Sequence, residues 1–182
     1  MTYKDSIKLA MNLLAADPAT LFVGYNVGRG SKANGTLTGV SPGQLIETPV
    51  AENLMAGMAI GLSLEGFKPV VYFERFDFIT NALDAIVNHL DKLETLSDGQ
   101  FKPKVLIRVV VGNTKTPLFT GPTHTQDFTD AMRKLVSFPV VQLIPGRSMS
   151  PVQAYQCALR SPWSTMLVEY KDHYQTELQD QA

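Results

Sequence analysis

A chain of 182 residues, 45% hydrophobic and 18% charged, has material for one buried core and little beyond it. Sixteen Lys and Arg against seventeen Asp and Glu give a net charge of −1, so the broad attraction behind non-specific nucleic-acid or anionic-membrane binding is missing and neither is an expected partner. The lone Cys157 has no second thiol for a disulfide or thiolate metal site, no apolar run approaches the ~20 residues of a bilayer span, and Met1 to Asn12 lacks a signal-peptide core, so a cytoplasmic protein is expected.

Taken in chain order, Ile7, Ala10, Met11 and Leu14 recur at helical spacing between Lys4 and Ala16, and Asp17-Pro18 ends that helix. Leu21-Phe22-Val23 reads as a short buried strand. Gly24 to Gly43, rich in Gly, Ser, Asn and Thr, reads as a long loop of the kind that usually carries function. Val50 to Glu65 is predicted to be a helix buried on most sides and closed by Gly66. Lys68 to Phe73 is strand-like, and Phe78 to Leu96 carries apolar residues at the spacing of one long helix. The near-continuous apolar run from Lys104 to Val111 predicts a strand covered on both faces, hence a parallel sheet. A polar loop from Gly112 to Thr123, a helix from Thr125 to Val136, a strand at Val140 to Ile144, a helix at Pro151 to Arg160 and a strand at Thr165 to Tyr170 complete the pattern.

The alternation predicts an α/β fold: a single doubly wound, mostly parallel sheet with helices on both faces, spanning residues 1–174, with 175–182 a loose polar tail. Ligands of such folds bind beyond the carboxyl ends of the strands, which directs attention to Gly24 to Gly43, Glu74 onward and Gly112 to His124.

Glu52 opens the second helix among Val50, Leu54, Met55 and Met58. A first-turn carboxylate can simply complement the helix dipole, but one in such apolar company is suited to proton exchange. Gly57 and Gly61, one helical turn apart, permit close approach of another backbone, either the chain's own sheet or a second subunit. Phe73, Phe76 and Phe78 cluster at a strand end with Glu74, Arg75 and Asp77 between them, where Phe73 and Phe76 offer flat faces to a heterocycle. His124, placed just before a helix capped by Thr123 or Thr125, is available for acid, base or anion-contact work, whereas His89 and His173 read as surface residues.

Glu52, Gly57-Met58 and Gly61-Leu62 together form a pattern that resembles the signature of the pyrimidine-binding domain of thiamine diphosphate enzymes. Thr48-Pro-Val-Ala-Glu52, Phe67-Lys-Pro69, Phe73-x-x-Phe76, Ala82-x-Asp84-x-Ile86-x-Asn88 and His124-Thr-Gln126 follow in the order found in the β chain of 2-oxoacid dehydrogenase E1 components, and Gly121-Pro-Thr-His124 resembles a transketolase loop. The resemblance runs from about Leu21 to Tyr174. It implies that Glu52 hydrogen-bonds ring nitrogen N1′ of the cofactor's aminopyrimidine, favouring the imino tautomer that takes the thiazolium C2 proton. It implies further that Phe76, with Phe73, forms the aromatic wall for that ring and that His124 faces the substrate side. The chain departs from the resemblance at Tyr25-Asn26, where the E1 β chain has an acidic pair, and it contains no Gly-Asp-Gly…Asn motif for diphosphate and Mg²⁺; Ser97-Asp-Gly99 reads as a surface turn.

The expectation is therefore a pyrimidine-binding subunit of a split thiamine diphosphate enzyme, an oxidoreductase or transferase acting on a small keto substrate. It would decarboxylate a 2-oxoacid or transfer a ketol unit. A separate chain would hold Mg²⁺ and the diphosphate in a hetero-oligomer such as a heterotetramer. The alternative is a non-catalytic interaction module of the same fold. A nucleotide-binding reading of Gly24-x-x-x-Gly28-x-Gly30 fails on spacing.

Overall fold

β-Branched and aliphatic runs separated by amphipathic segments wind into one six-stranded sheet, all of it parallel, in the order β2-β1-β3-β4-β6-β5. The computed structural model describes residues 1–119 and 121–178. The strands are β1 (Thr20–Gly24), β2 (Leu45–Glu47), β3 (Lys68–Phe73), β4 (Leu106–Val111), β5 (Val140–Gln142) and β6 (Thr165–Tyr170). The helices are α1 (Tyr3–Ala15), α2 (Glu52–Leu64), α3 (Leu93–Leu96), α4 (Thr129–Leu135) and α5 (Pro151–Arg160).

Alternation along the central strands divides the apolar side chains between two cores. Val71, Phe73, Ile107 and Val109 point to the face covered by α2, the segment after β3, and α4, while Val70, Tyr72, Leu106 and Val110 point to the face covered by α1 and α5. The doubly wound fold expected from the sequence is the fold observed. Helices α1 and α5 begin with capping boxes, Thr2 with Asp5 and Ser150 with Gln153, which hold their first turns.

Three details differ from the sequence reading. The segment read as one helix from Phe78 to Leu96 is instead a 3₁₀ helix at Phe76–Ala82, a π-helical stretch at Asp84–Leu90 and the single turn α3. Phe76, Ile79 and Ala82 are buried at intervals of three, the 3₁₀ repeat, and the wider turns that follow include an Asp91 N–H bond to the Ile86 carbonyl. A tight stretch followed by a loose one averages to helical spacing. The region from Gly24 to Gly43 is the long loop expected, and it is packed, since Val27, Ala33, Leu37 and Val40 are buried against α1 and its neighbours. Strand β2, only three residues long and half exposed at the sheet edge, carries too little pattern to be read in advance. Of the residues read as a loose tail, Glu177 pairs with Thr2 and Leu178 donates to the Met1 carbonyl at 3.0 Å, while 179–182 lie outside the described residues.

Arg108, in the middle of β4, is 1% exposed. Its Nε and Nη2 donate to the two carboxylate oxygens of Glu169 on β6 at 2.7 and 2.9 Å. The hydroxyls of Tyr155 and Tyr174 donate to the same carboxylate at 2.7 and 3.3 Å, and the guanidinium lies 4.8 Å from the Tyr72 ring centroid. A run that reads as plain apolar strand thus contains a buried, bidentate ion pair.

No helix among the described residues is long and apolar enough to cross a membrane.

Candidate active site

The carboxyl ends of β1, β3 and β4 bring together most of the singled-out residues. Glu52 is the first residue of α2 and is 5% exposed, with its Oε2 accepting a 3.3 Å bond from the Asn81 amide. An ionised carboxylate has about four acceptor positions, so Asn81 leaves capacity for a further donor. Asn81 comes from the 3₁₀ segment after β3. With three residues per turn, Asn81 and Phe78 lie on one face of that segment, and Phe78 meets the His124 ring edge-on with centroids 5.2 Å apart. One short turn therefore reaches both Glu52 and His124.

His124 belongs to the bend after the 3₁₀ turn Gly121–Thr123, five residues before α4, and not to the start of a helix as its sequence context suggested. The reason is local. Thr125 Oγ1 bonds back to the Gly121 carbonyl, and Asp127 Oδ1 accepts the Thr129 amide at 2.9 Å, so the helix starts at Thr129. Thr123 Oγ1 lies 3.0 Å from His124 Nδ1. The His124 main chain crosses directly over the end of β4, where a Cβ on Gly112 would overlap the His124 carbonyl oxygen. Only glycine fits there.

Phe73 and Phe76 are 1% and 0% exposed, both within the core on the α2 side, and Phe76 meets Phe128 edge-on at 6.0 Å. Strand alternation turns Phe73 inward and the 3₁₀ repeat turns Phe76 after it, so in this chain neither offers an open face. The half-buried aromatic at the site is Phe78, which the sequence reading left without a role. Its offset of three from Asn81 was the available signal.

Around Glu52 the electrostatics are mixed. Tyr25 is held well above the usual phenol range, first by burial, then by the carboxylates of Glu74 and Glu52. Asn26 has φ +60 and donates from Nδ2 to Glu74 Oε2 at 3.0 Å. Glu47, also passed over in the sequence, accepts the main-chain amides of Asn26, Gly28 and Arg29 at 2.8, 2.6 and 3.1 Å and so fixes the exit from β1. Glu74 and Glu47 are the acids that the Tyr25-Asn26 pair meets here.

Gly57 and Gly61 do not pack on the chain's own sheet: a Cβ at either would meet nothing within 4 Å. They share the outer face of α2 with Leu54 and Leu64, which are 48% and 42% exposed. The helix is apolar all round, but only the side bearing Met55, Ala56, Ala59 and Ile60 is covered, contrary to the expectation of burial on most sides. His89 is exposed as expected, whereas His173 is half-buried between Tyr3 and Tyr170, edge-on at 6.1 Å to each. Among the described residues, no three His, Cys, Asp or Glu side chains are grouped so as to hold a metal ion.

Comparison with known proteins bears on the family and the fold. The family described as transketolase, pyrimidine binding domain, matches residues 1–112. The chain is 26% identical over 174 residues to the pyruvate dehydrogenase E1 component subunit beta-2, mitochondrial, of Oryza sativa subsp. japonica, covering 93% of this chain and 45% of that protein. It is 30% identical over 174 residues to the corresponding mitochondrial beta subunit of Pisum sativum, covering 93% and 47%. It spans about half the length of the curated relatives it matches. Among solved structures, a transketolase from Campylobacter jejuni superposes with TM-score 0.75 at 18% identity, over 98% of this chain and 27% of that one. A split-gene transketolase described as an inactive beta4 tetramer gives 0.70 at 15% identity, over 94% and 51%. At those identities the structures bear on the fold alone.

Proposed function

The chain belongs to the transketolase pyrimidine-binding domain family, and from that premise we propose that it forms the pyrimidine side of a thiamine diphosphate site that a second polypeptide completes with the diphosphate and Mg²⁺ site. The observation that carries the reading is the buried Glu52 carboxylate at the start of α2, fixed by Asn81 from the turn whose Phe78 touches His124. Thiamine diphosphate supplies, when bound, the nucleophilic carbon that attacks a substrate carbonyl.

The chain's own residues have three tasks in this reading. Glu52 holds a proton at the pyrimidine N1′ position, and a carboxylate withdrawn from water does this better than an exposed one because its charge is less screened. Phe78 supplies the aromatic surface for the ring, backed by Phe76 and Phe73 from the core. His124 faces the reacting carbonyl from the loop over β4, where its imidazole can donate a hydrogen bond to oxygen on which negative charge accumulates. The reaction is cleavage or formation of a carbon–carbon bond beside a carbonyl, on a 2-oxoacid or a ketose. The outer face of α2 with Gly57 and Gly61 is the contact with another subunit in a hetero-oligomer.

Isothermal calorimetry with thiamine diphosphate and Mg²⁺ tests the reading, first on the chain alone and then on its mixture with a chain that carries Gly-Asp-Gly…Asn. Binding is expected only in the mixture, and Glu52→Ala there should keep binding while losing turnover. Undiminished turnover in Glu52→Ala would remove the assignment of Glu52. Absence of binding in a stable mixture would favour a non-catalytic interaction module.

A further inference from the structure

The 3₁₀ turn after β3 grips the His124 loop at two adjacent points. Phe78 meets the imidazole, and the residue before it, Asp77, accepts through Oδ1 the main-chain N–H of Gln126 at 3.2 Å and its side-chain amide at 2.9 Å. The pairs run in step, 77 with 126 and 78 with 124, so the two stretches are joined like rungs. Asp77 is 6% exposed, and its Oδ2 is buried without a hydrogen-bond partner among the described residues. A buried carboxylate with an unused oxygen is a poor choice for stability alone, because a neutral amide of the same shape would avoid the desolvation. What the charge supplies is two strong bonds converging on one residue, and that residue lies two positions beyond the histidine.

We propose that Asp77 is the positioning residue of His124. Its Oδ1 anchors Gln126 on one side of the histidine, the crossing at Gly112 fixes the His124 main chain, and Phe78 fixes the ring, so the imidazole is held from three directions. Asp77 touches no reacting atom in this scheme. The inference rests on the reading of His124 given above, and its test is built to fail separately from that reading.

In the full chain, nuclear magnetic resonance can follow amide exchange at Gln126 and the His124 ring signal without cofactor or partner. Asp77→Ala should speed Gln126 exchange about 10- to 100-fold and shift the His124 signal, while Asp77→Asn, which keeps an acceptor at Oδ1 but not the charge, should fall between Asp77→Ala and the native chain in both. In the mixture with the partner chain, Asp77→Ala should lower kcat about tenfold or more with thiamine diphosphate affinity unchanged, and Asp77→Asn should recover part of the loss. Should Asp77→Ala fail to fold, Gln126→Leu removes the side-chain arm from an exposed position and is expected to shift the His124 signal in the same direction. Unchanged Gln126 exchange and His124 signal in the variant that folds would overturn the proposal, as would an Asp77→Asn variant no closer to the native chain than Asp77→Ala. If the resonance readouts follow Asp77 while kcat does not, the clamp stands and the role given to His124 falls.

Discussion

Replacing Glu169 by leucine strands the Arg108 guanidinium inside the sheet. Arg108 is 1% exposed and Glu169 0%, and the carboxylate also accepts from Tyr155 and Tyr174. Breaking a buried pair by removing one partner costs about 3–5 kcal/mol, and two hydroxyls left without an acceptor add to that, so a loss of about 5 kcal/mol is expected. For a domain of this size it corresponds to a fall in Tm of about 10–20 °C, a large share of a typical total stability of about 5–15 kcal/mol. Urea unfolding followed by far-ultraviolet circular dichroism measures it. The double variant Arg108→Met, Glu169→Leu should regain at least half the loss, because apolar replacement of a whole buried pair is often neutral, and adding Tyr155→Phe and Tyr174→Phe should regain more. A single variant losing less than about 1 kcal/mol, or a double variant as damaged as the single, would refute stranded charge as the cause.

Gly57→Ala and Gly61→Ala meet no atom within 4 Å, so each should stabilise the isolated chain by about 0.5–1 kcal/mol in thermal melts, whereas Gly57→Leu should abolish co-elution with the partner chain in size-exclusion chromatography. Gly112→Ala drives a methyl into the His124 carbonyl and should cost about 1–3 kcal/mol in urea unfolding, with a displaced His124 ring signal. Burial holds the His173 imidazole below its usual range, only partly offset by Asp172. The unfolded chain then binds the proton more readily, so stability contributed by this residue is present above about pH 6.5 and is lost as pH falls below it. His173→Phe should flatten the Tm against pH curve between about pH 5 and 7, and an unchanged slope would assign that slope elsewhere.

The fold was legible because it depends on coarse periodicity. The runs at Lys68 to Phe73, Lys104 to Val111 and Thr165 to Tyr170 are too apolar for anything but covered strands, and Pro151 with Ser150 marks the start of α5. Glu52 could be picked out by the mismatch between its charge and its neighbours. Phe78 could not be separated from Phe73 and Phe76 by composition, since three aromatics in six residues differ only in which way a 3₁₀ or a strand backbone turns them. Asp77, Asn81 and Glu47 act through partners 49, 29 and 18 to 21 residues away, and no local pattern records such pairings. The pairing of Arg108 with Glu169 is hidden in the same way, across strands that are 61 positions apart in sequence.

Helix α2 begins with Glu52 and carries the uncovered Gly57 and Gly61 surface along its length. Thirteen residues at 1.5 Å each make a rod of about 20 Å. A tilt of a few degrees imposed at the open surface is transmitted to the carboxylate at the rod's end as a displacement of about an ångström, comparable to the misplacement that costs orders of magnitude in rate. On the proposed reading, subunit assembly and alignment of the Glu52 carboxylate would be one mechanical event, with the helix as its lever arm.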